Sequence, residues 1–330
     1  QIFQKKNLLK MKNESKIKFL RGGLLTSLQG SKINHLQHIG ITTSGPMDYF
    51  LSKIGNLIMD NNEDNITFEI CKFGPAIKII EGNFIFLVSG NINFKIITNS
   101  NVQSGKCFKS YILKKGDILE LNQTLKSNYA YLIFKGYLNI DISSEYKSSI
   151  ISSSLGINNG KKINDSDEFK ILKIPNFKNR YLPLSFSNFF DNKIRVIKGP
   201  QMNYFKISMI KKFFSKKFKI SKNINRVGIR LIENPVKPII SSNLASEGII
   251  KGSIQVPGDG NPIVLASEHP TIGGYPKIAT VLISDLFKFV QLEEGSEFIF
   301  EEVDINIGEK LYFNFLETKN SIQNKIVYLY

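Results

Sequence analysis

Tryptophan is missing from this chain of 330 residues, cysteine occurs twice and histidine three times. Each shortage excludes something. Two cysteines, Cys71 and Cys107, cannot make a disulfide framework in a chain this long, which fits a reducing, cytoplasmic setting. There is no H-E-x-x-H and no paired C-x-x-C, and His35-x-x-His38 alone falls short of the three or four converging ligands that zinc requires, so no metal is expected. No apolar run reaches the ~18 residues of a membrane-spanning helix. The chain lacks a G-x-x-x-x-G-K-[ST] phosphate loop, and Gly258-x-Gly260 does not continue into a dinucleotide fingerprint. Acid is short as well: 28 Asp and Glu stand against 44 Lys and Arg, a net charge of +16. The excess is mostly lysine scattered among abundant Asn and Ile, as A/T-rich codon usage produces irrespective of function. Neither a nucleic-acid nor a membrane partner is therefore expected.

What is present is a chain long enough for one large domain or two smaller ones, 42% hydrophobic, in which Phe must fill the volume that Trp takes elsewhere. The spacing predicts a mainly β chain with a few helices. Ile17 to Gln29 reads as strand, Gly-Gly kink, strand. Asp48 is placed to cap a helix ending near Met59, with Phe50, Leu51, Ile54, Leu57 and Ile58 on one face. Short apolar runs with repeated turn signals between Ala76 and Leu138 suggest an antiparallel barrel or sandwich. The Ser/Asn/Gly-rich stretch 142–167 reads as a long connection, and no nucleophile elbow surrounds its serines. The basic block Lys206 to Lys222, interleaved with Phe213, Phe214 and Phe218, reads as an amphipathic helix or an adhesive surface, with a helix over Met202 to Phe214. Asp285 is expected to cap a short helix, and the tail beyond Asn306 carries no motif. The expected division is a leader at 1–16, disordered or a gene-model extension, a β-rich lobe at 17–140, a connection at 141–192, a second lobe at 193–305 and a tail at 306–330.

Chemistry concentrates in GSIQVPGDGNPIVLASEHPTIGGYPKIA, residues 252–279. Ile254-Gln255-Val256 and Ile263 to Ala266 flank a Pro/Gly/Asn/Asp cluster and read as a hairpin. Gly273 and Gly274 allow close approach to the main chain, and Lys277 adds a point charge suited to a carboxylate or phosphate. A plain connector with a solvated lysine explains the same spacing. Upstream, in an extended Asn225-Arg226-Val227-Gly228-Ile229-Arg230, the two guanidiniums share a face. They would bind an anion bidentately or pair with Glu233 and Glu247. Asp48, Glu69, Glu247 and Asp259 are the acids available as bases or orienting groups.

These residues resemble a known family. IQVPGDGNPIVL followed by GGYPKIATV is similar to the KipA-like proteins, or C subunits of 5-oxoprolinase. They form the second-subunit family of allophanate hydrolase, also called biotin-dependent carboxyltransferase-like. The resemblance runs from about Phe19 to Asp304. It includes Gly40 to Asp48, Asn56-Leu57, Phe68-Glu69-Ile70, the strand ending at Gly199-Pro200, Asn225 to Leu231 and Leu244 to Gly248. Two stretches depart from it: Gln29-Gly30-Ser31-Lys32 replaces a Gln-Asp-x-Gly-Arg motif, and Phe134 to Leu138 replaces Ala-Gly-Gly-Ile.

The resemblance implies two cyclophilin-like β-barrel lobes and a place in an ATP-dependent (Mg2+) 5-oxoprolinase complex. Its partners there would be a KipI-like protein and a LamB/YcsF-like protein, the B and A subunits. Such a complex opens 5-oxo-L-proline to L-glutamate by phosphorylating the lactam oxygen and hydrolysing the activated ring. The resemblance implies catalytic roles for Arg226, Arg230, Lys277 and Asp48. Substrate binding falls to Asn225, Gly228, Gln255, Asp259, Gly273, Gly274, Tyr275, Gly45 and Glu69. Two alternatives stay open. One is carboxyl transfer to urea or a similar amide from a partner's biotin, since no Met-Lys-Met acceptor occurs in this chain. The other is a regulatory binding role beside a KipI-like kinase inhibitor.

Overall fold

The computed structural model describes residues 14–31, 36–140, 146–174, 177–184, 192–239 and 244–329. His35 and residues 1–13 of the expected leader lie outside them, while His38 is exposed on the short turn Gln37–Ile39. The chain is mainly β, as expected, and divides into two compact units: residues 1–31, 49–186 and 321–330, and residues 32–48 and 187–320.

In the first unit the strand Glu14–Arg21 begins inside the expected leader and pairs antiparallel with Glu168–Leu172 and Ala76–Glu81. Ile17 and Phe19 alternate inward along it, which is what a half-buried strand requires. A seven-stranded sheet runs Tyr137–Leu138, Glu168–Leu172, Glu14–Arg21, Ala76–Glu81, Ile118–Thr124, Ile92–Ile97, Val102–Ser104. A five-stranded sheet runs Leu25–Gln29, Thr67–Cys71, Tyr129–Phe134, Asn83–Ser89, Ser110–Lys114. Their inner faces share one core in which phenylalanine takes the volume that Trp would fill: Phe19–Phe68, Phe68–Phe169 and Phe84–Phe134 meet at 5.3, 5.5 and 4.9 Å between ring centres. The helix Tyr49–Ile58 follows Asp48 and buries Phe50, Leu51, Ile54 and Ile58. Of the stretch expected to connect two lobes, residues 146–167 stay in this unit as short bridged turns leading into Glu168–Leu172. Cys71 and Cys107 form no disulfide, and burial pushes the Cys107 thiol up to about 11.

The second unit is a closed seven-stranded barrel in the order Lys193–Lys198, Lys277–Val281, Ser253–Gln255, Ile263–Leu265, Gly228–Ile232, Phe218–Ile224, Glu297–Glu302. The last strand pairs parallel with the first and closes the ring, so the barrel leaves no sheet edge open. The basic block is half helix and half strand. Ile207–Ser215 is helical and Phe218–Ile224 joins the barrel. The helix expected from Met202 is interrupted, because Phe205 and Lys206 are extended between a 3-10 turn at Met202–Tyr204 and the helix proper. Phe213 stacks on Phe300 at 4.8 Å, and Phe298 meets Phe300 edge-on at 5.0 Å. Asp285 is not the cap of its helix. Ile283–Val290 starts after Leu282, and the fully buried Asp285 carboxylate accepts from Arg195 Nε at 2.8 Å and from the Arg195 amide at 2.9 Å. The motif-free tail folds as the helix Ile305–Gln323, where Phe315 stacks on Phe287 at 5.5 Å.

Phe300→Ala removes the ring on which Phe213, Phe218 and Phe298 converge, and should cost about 3–5 kcal/mol. Native-state hydrogen exchange of the amides in Glu297–Glu302 should show that loss while strands of the first unit keep their protection.

Candidate functional site

The outer face of the barrel carries most of the expected site residues, and strand register puts them there. Arg230 pairs with Ile263, Ile263 with Gln255, and Gln255 with Lys277. Cross-strand partners point to the same side of a sheet. Their neighbours Ile229, Leu231, Ile254 and Val264 are buried on the other face, and a register shift between Ile254 and Gln255 sets Lys277 opposite Gln255. Arg230, Gln255 and Lys277 therefore form one row on the outside, spread over three strand spacings of ~4.8 Å.

A two-residue ribbon lies over one end of that row. Glu247 pairs with Gly273 and Gly248 with Ile272, and the Leu244 amide donates to Gly274 O at 2.9 Å. The paired glycines let this ribbon approach: a Cβ on Gly274 would lie 2.6 Å from Leu244 O, and one on Gly273 would lie 2.5 Å from Ile249 Cδ1 and 2.9 Å from Gln255 Nε2. Beneath it Lys277, 7% exposed, donates from Nζ to Glu247 Oε2 at 2.8 Å. Gln201 Nε2 donates to the same oxygen at 2.6 Å, and Gln201 Oε1 accepts the Lys277 backbone N–H at 3.0 Å. These contacts, the Lys277 hydrogen bond foremost, hold the Glu247 carboxyl below its ordinary range. Gln255, 5% exposed, has no partner for its Nε2 among the described residues. Tyr275 stands largely exposed beside the ribbon.

At the far end of the row Arg230 pairs with Asp259 at the tip of the Ser253–Leu265 hairpin. Burial raises the Asp259 carboxyl, but hydrogen bonds from the Asn261 side chain and amide, with the Arg230 charge, outweigh it and hold the group below its usual range. Glu233 pairs with Lys219 at 3.0 Å, so neither arginine takes the acid proposed for it from spacing.

Arg226 lies apart from the row. It is 4% exposed, its Nε donates to Glu268 Oε1 at 2.5 Å, and its Nη2 donates to Gly45 O at 2.7 Å. The segment it grips is also held by Lys251 and Ser267. Ser267 Oγ donates to Pro46 O at 3.0 Å and accepts from Lys251 Nζ at 2.7 Å, and Thr42 Oγ1 donates to Ser267 O at 3.4 Å. These contacts fix a backbone in which Ser44 and Gly45 both take the left-handed conformation, at φ 49° and 92°. Asp48 is buried and accepts from Gln291 Nε2 at 2.7 Å. Asn225 Oδ1 accepts from the Val227 and Gly228 amides at 2.9 and 3.0 Å, and a Cβ on Gly228 would press to 3.0 Å from Ile263 Cγ2. Asn225 thus makes an Asx turn, and Gly228 serves strand packing.

Glu69 belongs to the first unit, where the Tyr131 hydroxyl donates to Glu69 Oε2 at 2.8 Å. Of the two departures, Gln29 to Ser31 and Phe134 to Leu138 also lie there, and Lys32 is outside the described residues. Gln29 is fully buried and donates to Ser27 Oγ and Ser149 O, each at 3.0 Å, while Lys135 donates to Asp60 O at 2.6 Å. Among the described residues no group of three His, Cys, Asp or Glu is placed to hold a metal ion.

Sequence reasoning passed over Glu268, Gln291, Ser267, Lys251 and His269 as participants. Gln201 carried a faint signal, as the residue that follows Gly199-Pro200 at a strand end.

The chain belongs to the family described as "Carboxyltransferase domain, subdomain A and B", whose model matches residues 39–302. Among curated proteins it is similar to the C subunit of 5-oxoprolinase from Escherichia coli K12, 24% identical over 289 residues that span 88% of this chain and 92% of that protein. It is also similar to "Urea amidolyase" of Lachancea kluyveri, 26% identical over 83% of this chain but only 16% of that protein. Among solved structures the K. lactis urea amidolyase superposes with a TM-score of 0.83 at 24% identity, covering 94% of this chain and 21% of that one. That likeness shows the fold.

Two outcomes follow from the site's buried groups. Arg226→Met leaves the Glu268 carboxylate buried without its cation and should cost about 3–5 kcal/mol. Arg226→Met combined with Glu268→Met should lose less than the two single variants summed, as a denaturant double-mutant cycle will show. His269 is buried, and that burial pushes its ring below the ordinary 6.5, with the Lys251 charge adding to the effect and a hydrogen bond to Pro270 O opposing it. The native state therefore holds this ring neutral. The stability it contributes is complete above pH 6.5 and is lost as pH falls from there through the lower folded value. Urea midpoints measured between about pH 7.5 and 5 should fall more steeply for the wild type than for His269→Gln.

Proposed function

We propose that this chain is the C subunit of an ATP-dependent 5-oxoprolinase complex that opens 5-oxo-L-proline to L-glutamate. One observation carries the reading: the match to the E. coli C subunit runs over nearly the whole of both chains, whereas the match to urea amidolyase covers a small part of a much longer protein. The complex would include a KipI-like protein and a LamB/YcsF-like protein. ATP, with Mg2+, supplies the phosphoryl group that activates the lactam oxygen, and it is assigned to the complex rather than to this chain. Lys277, with the carboxamides of Gln201 and Gln255, fits an anionic oxygen of the substrate or of the reacting centre. Arg230 and Asp259 border the same face. Arg226 acts through another group in this reading: paired with Glu268, it holds Gly45 and its neighbours in their strained path, as Gln291 holds Asp48.

The family description favours a second reading, carboxyl transfer to urea or a similar amide with biotin carried by a partner. Here Lys277 would face a carboxylated intermediate's oxygens in place of a ring-opening substrate.

Release of glutamate and ADP from 5-oxoproline and ATP, with this chain and both partner proteins, tests the first reading. Activity should require all three proteins and fall at least about a hundredfold in Lys277→Ala, the loss typical of a single oxyanion donor. An assembled complex that turns over no 5-oxoproline overturns the reading, and biotin-dependent carboxylation then becomes the assay of choice.

A further inference from the structure

Lys277 presents an unusual arrangement on the barrel's outer face. An ammonium 7% exposed is matched by a carboxylate that is 53% exposed and sits on a ribbon only two paired residues long. Two further donors converge there. Gln201 Nε2 already binds Glu247. Gln255 Nε2 is buried with no partner among the described residues, directly under Gly273, the residue that pairs with Glu247. Leaving a buried amide N–H unsatisfied costs roughly 1–3 kcal/mol, so a site that keeps one open is built for an acceptor from outside. Gln201 is itself fixed through its oxygen by the Lys277 backbone N–H, which aims its nitrogen outward at the carboxylate. One cation and two carboxamide N–H donors, with a carboxylate seated on two of the three, describe a carboxylate-binding site.

We propose that Lys277, Gln201 and Gln255 form a binding site for a small monocarboxylate, and that the Glu247 carboxylate is its internal occupant, which the ligand's carboxylate displaces. This deepens the reading of the same face under Proposed function and rests on it. A free carboxylate offers two oxygens and can satisfy Gln255 Nε2 as well as Lys277 and Gln201, whereas Glu247 places one oxygen, Oε2, on two donors. Displacement is confined to the ribbon. Glu247 and Gly248 are both exposed, and the barrel strands beneath are held by their own pairing. An internal competitor lowers apparent affinity by the fraction of time it fills the seat. Selectivity against neutral analogues comes from Lys277 itself, whose charge a neutral ligand leaves unmatched with or without Glu247. Glu247 thus sets how tightly carboxylates bind, and Gln255 is a ligand contact with no partner among the described residues.

The test is calorimetric titration of the full chain with 5-oxo-L-proline, acetate and the neutral 2-pyrrolidinone, with thermal unfolding confirming that each variant is folded. Glu247→Ala and Glu247→Gln should each bind the two carboxylates about tenfold or more tightly than wild type, the effect of removing one charge-assisted competitor. Affinity for 2-pyrrolidinone should not change. In Glu247→Ala, adding Gln255→Leu should remove most of the gain, and adding Lys277→Met all of it. Unchanged or weaker carboxylate binding in both folded Glu247 variants overturns the proposal. So does an equal gain for 2-pyrrolidinone. Because the readout is binding to the isolated chain, it is separable from the reading of the complex. A gain for acetate beside an inactive complex supports the site and sinks the hydrolase, and no gain beside an active complex does the reverse.

Discussion

The alternation of side chains across a closed barrel is the constraint on which everything else in the second unit depends. Seven strands close on themselves, and the interior is filled by Ile, Leu, Val and a stacked group of phenylalanines. Each residue that faces in fixes its sequence neighbours to face out. Ile229 and Leu231 inside put Arg230 outside, Ile254 inside puts Gln255 outside, and a register shift beside Ile254 sets Lys277 opposite Gln255. A slip of one residue would drive an ammonium and a guanidinium into a phenylalanine core, a cost no local contact could offset. Register is therefore strongly specified, and the polar row follows from the packing of the apolar one.

Two kinds of polar cluster stand on that scaffold, and they differ in how complete they are. Around Arg226 the buried charge is paired with Glu268, and its Nη2 donates to Gly45 O. Ser267 and Lys251 satisfy Pro46 O in the same way. This group is an anchor for a strained backbone segment. Around Lys277 the pairing is partial. The acid is largely exposed, and the nearby Gln255 amide has no partner among the described residues. A satisfied network rigidifies, whereas an incomplete one of this kind leaves room for an outside acceptor.

The same contrast explains how the glycines of the Gly273-Gly274 pair are used. Their sequence context points to main-chain N–H groups open to a ligand. Instead their missing side chains admit the ribbon that carries Glu247, whose backbone would otherwise collide with a Cβ at 2.6 Å. The glycines still belong to the site, but through the element they let in.

Strand positions, the mainly β class and the family itself were legible in the sequence, because period-two patterning and the long C-terminal motif are local properties of the chain. Lys277, Gln255 and Arg230 were legible as chemistry. Their alignment in one cross-strand row was not, since it depends on register across four strands. The partners were also hidden. Arg226 meets an acid 42 positions away, and Lys277 one 30 positions away, on opposite sides of the same hairpin region. Nothing local marks Glu268 over Glu233, and Gln201 is marked only by its place after Gly199-Pro200. The interrupted helix at Phe205 was decided in the same way, by burial of that ring in the fold. The sequence alone determined which face of each strand must be dry. Only the folded barrel decided which charges would then share the wet side, because that pairing is set by contacts between residues far apart in the chain.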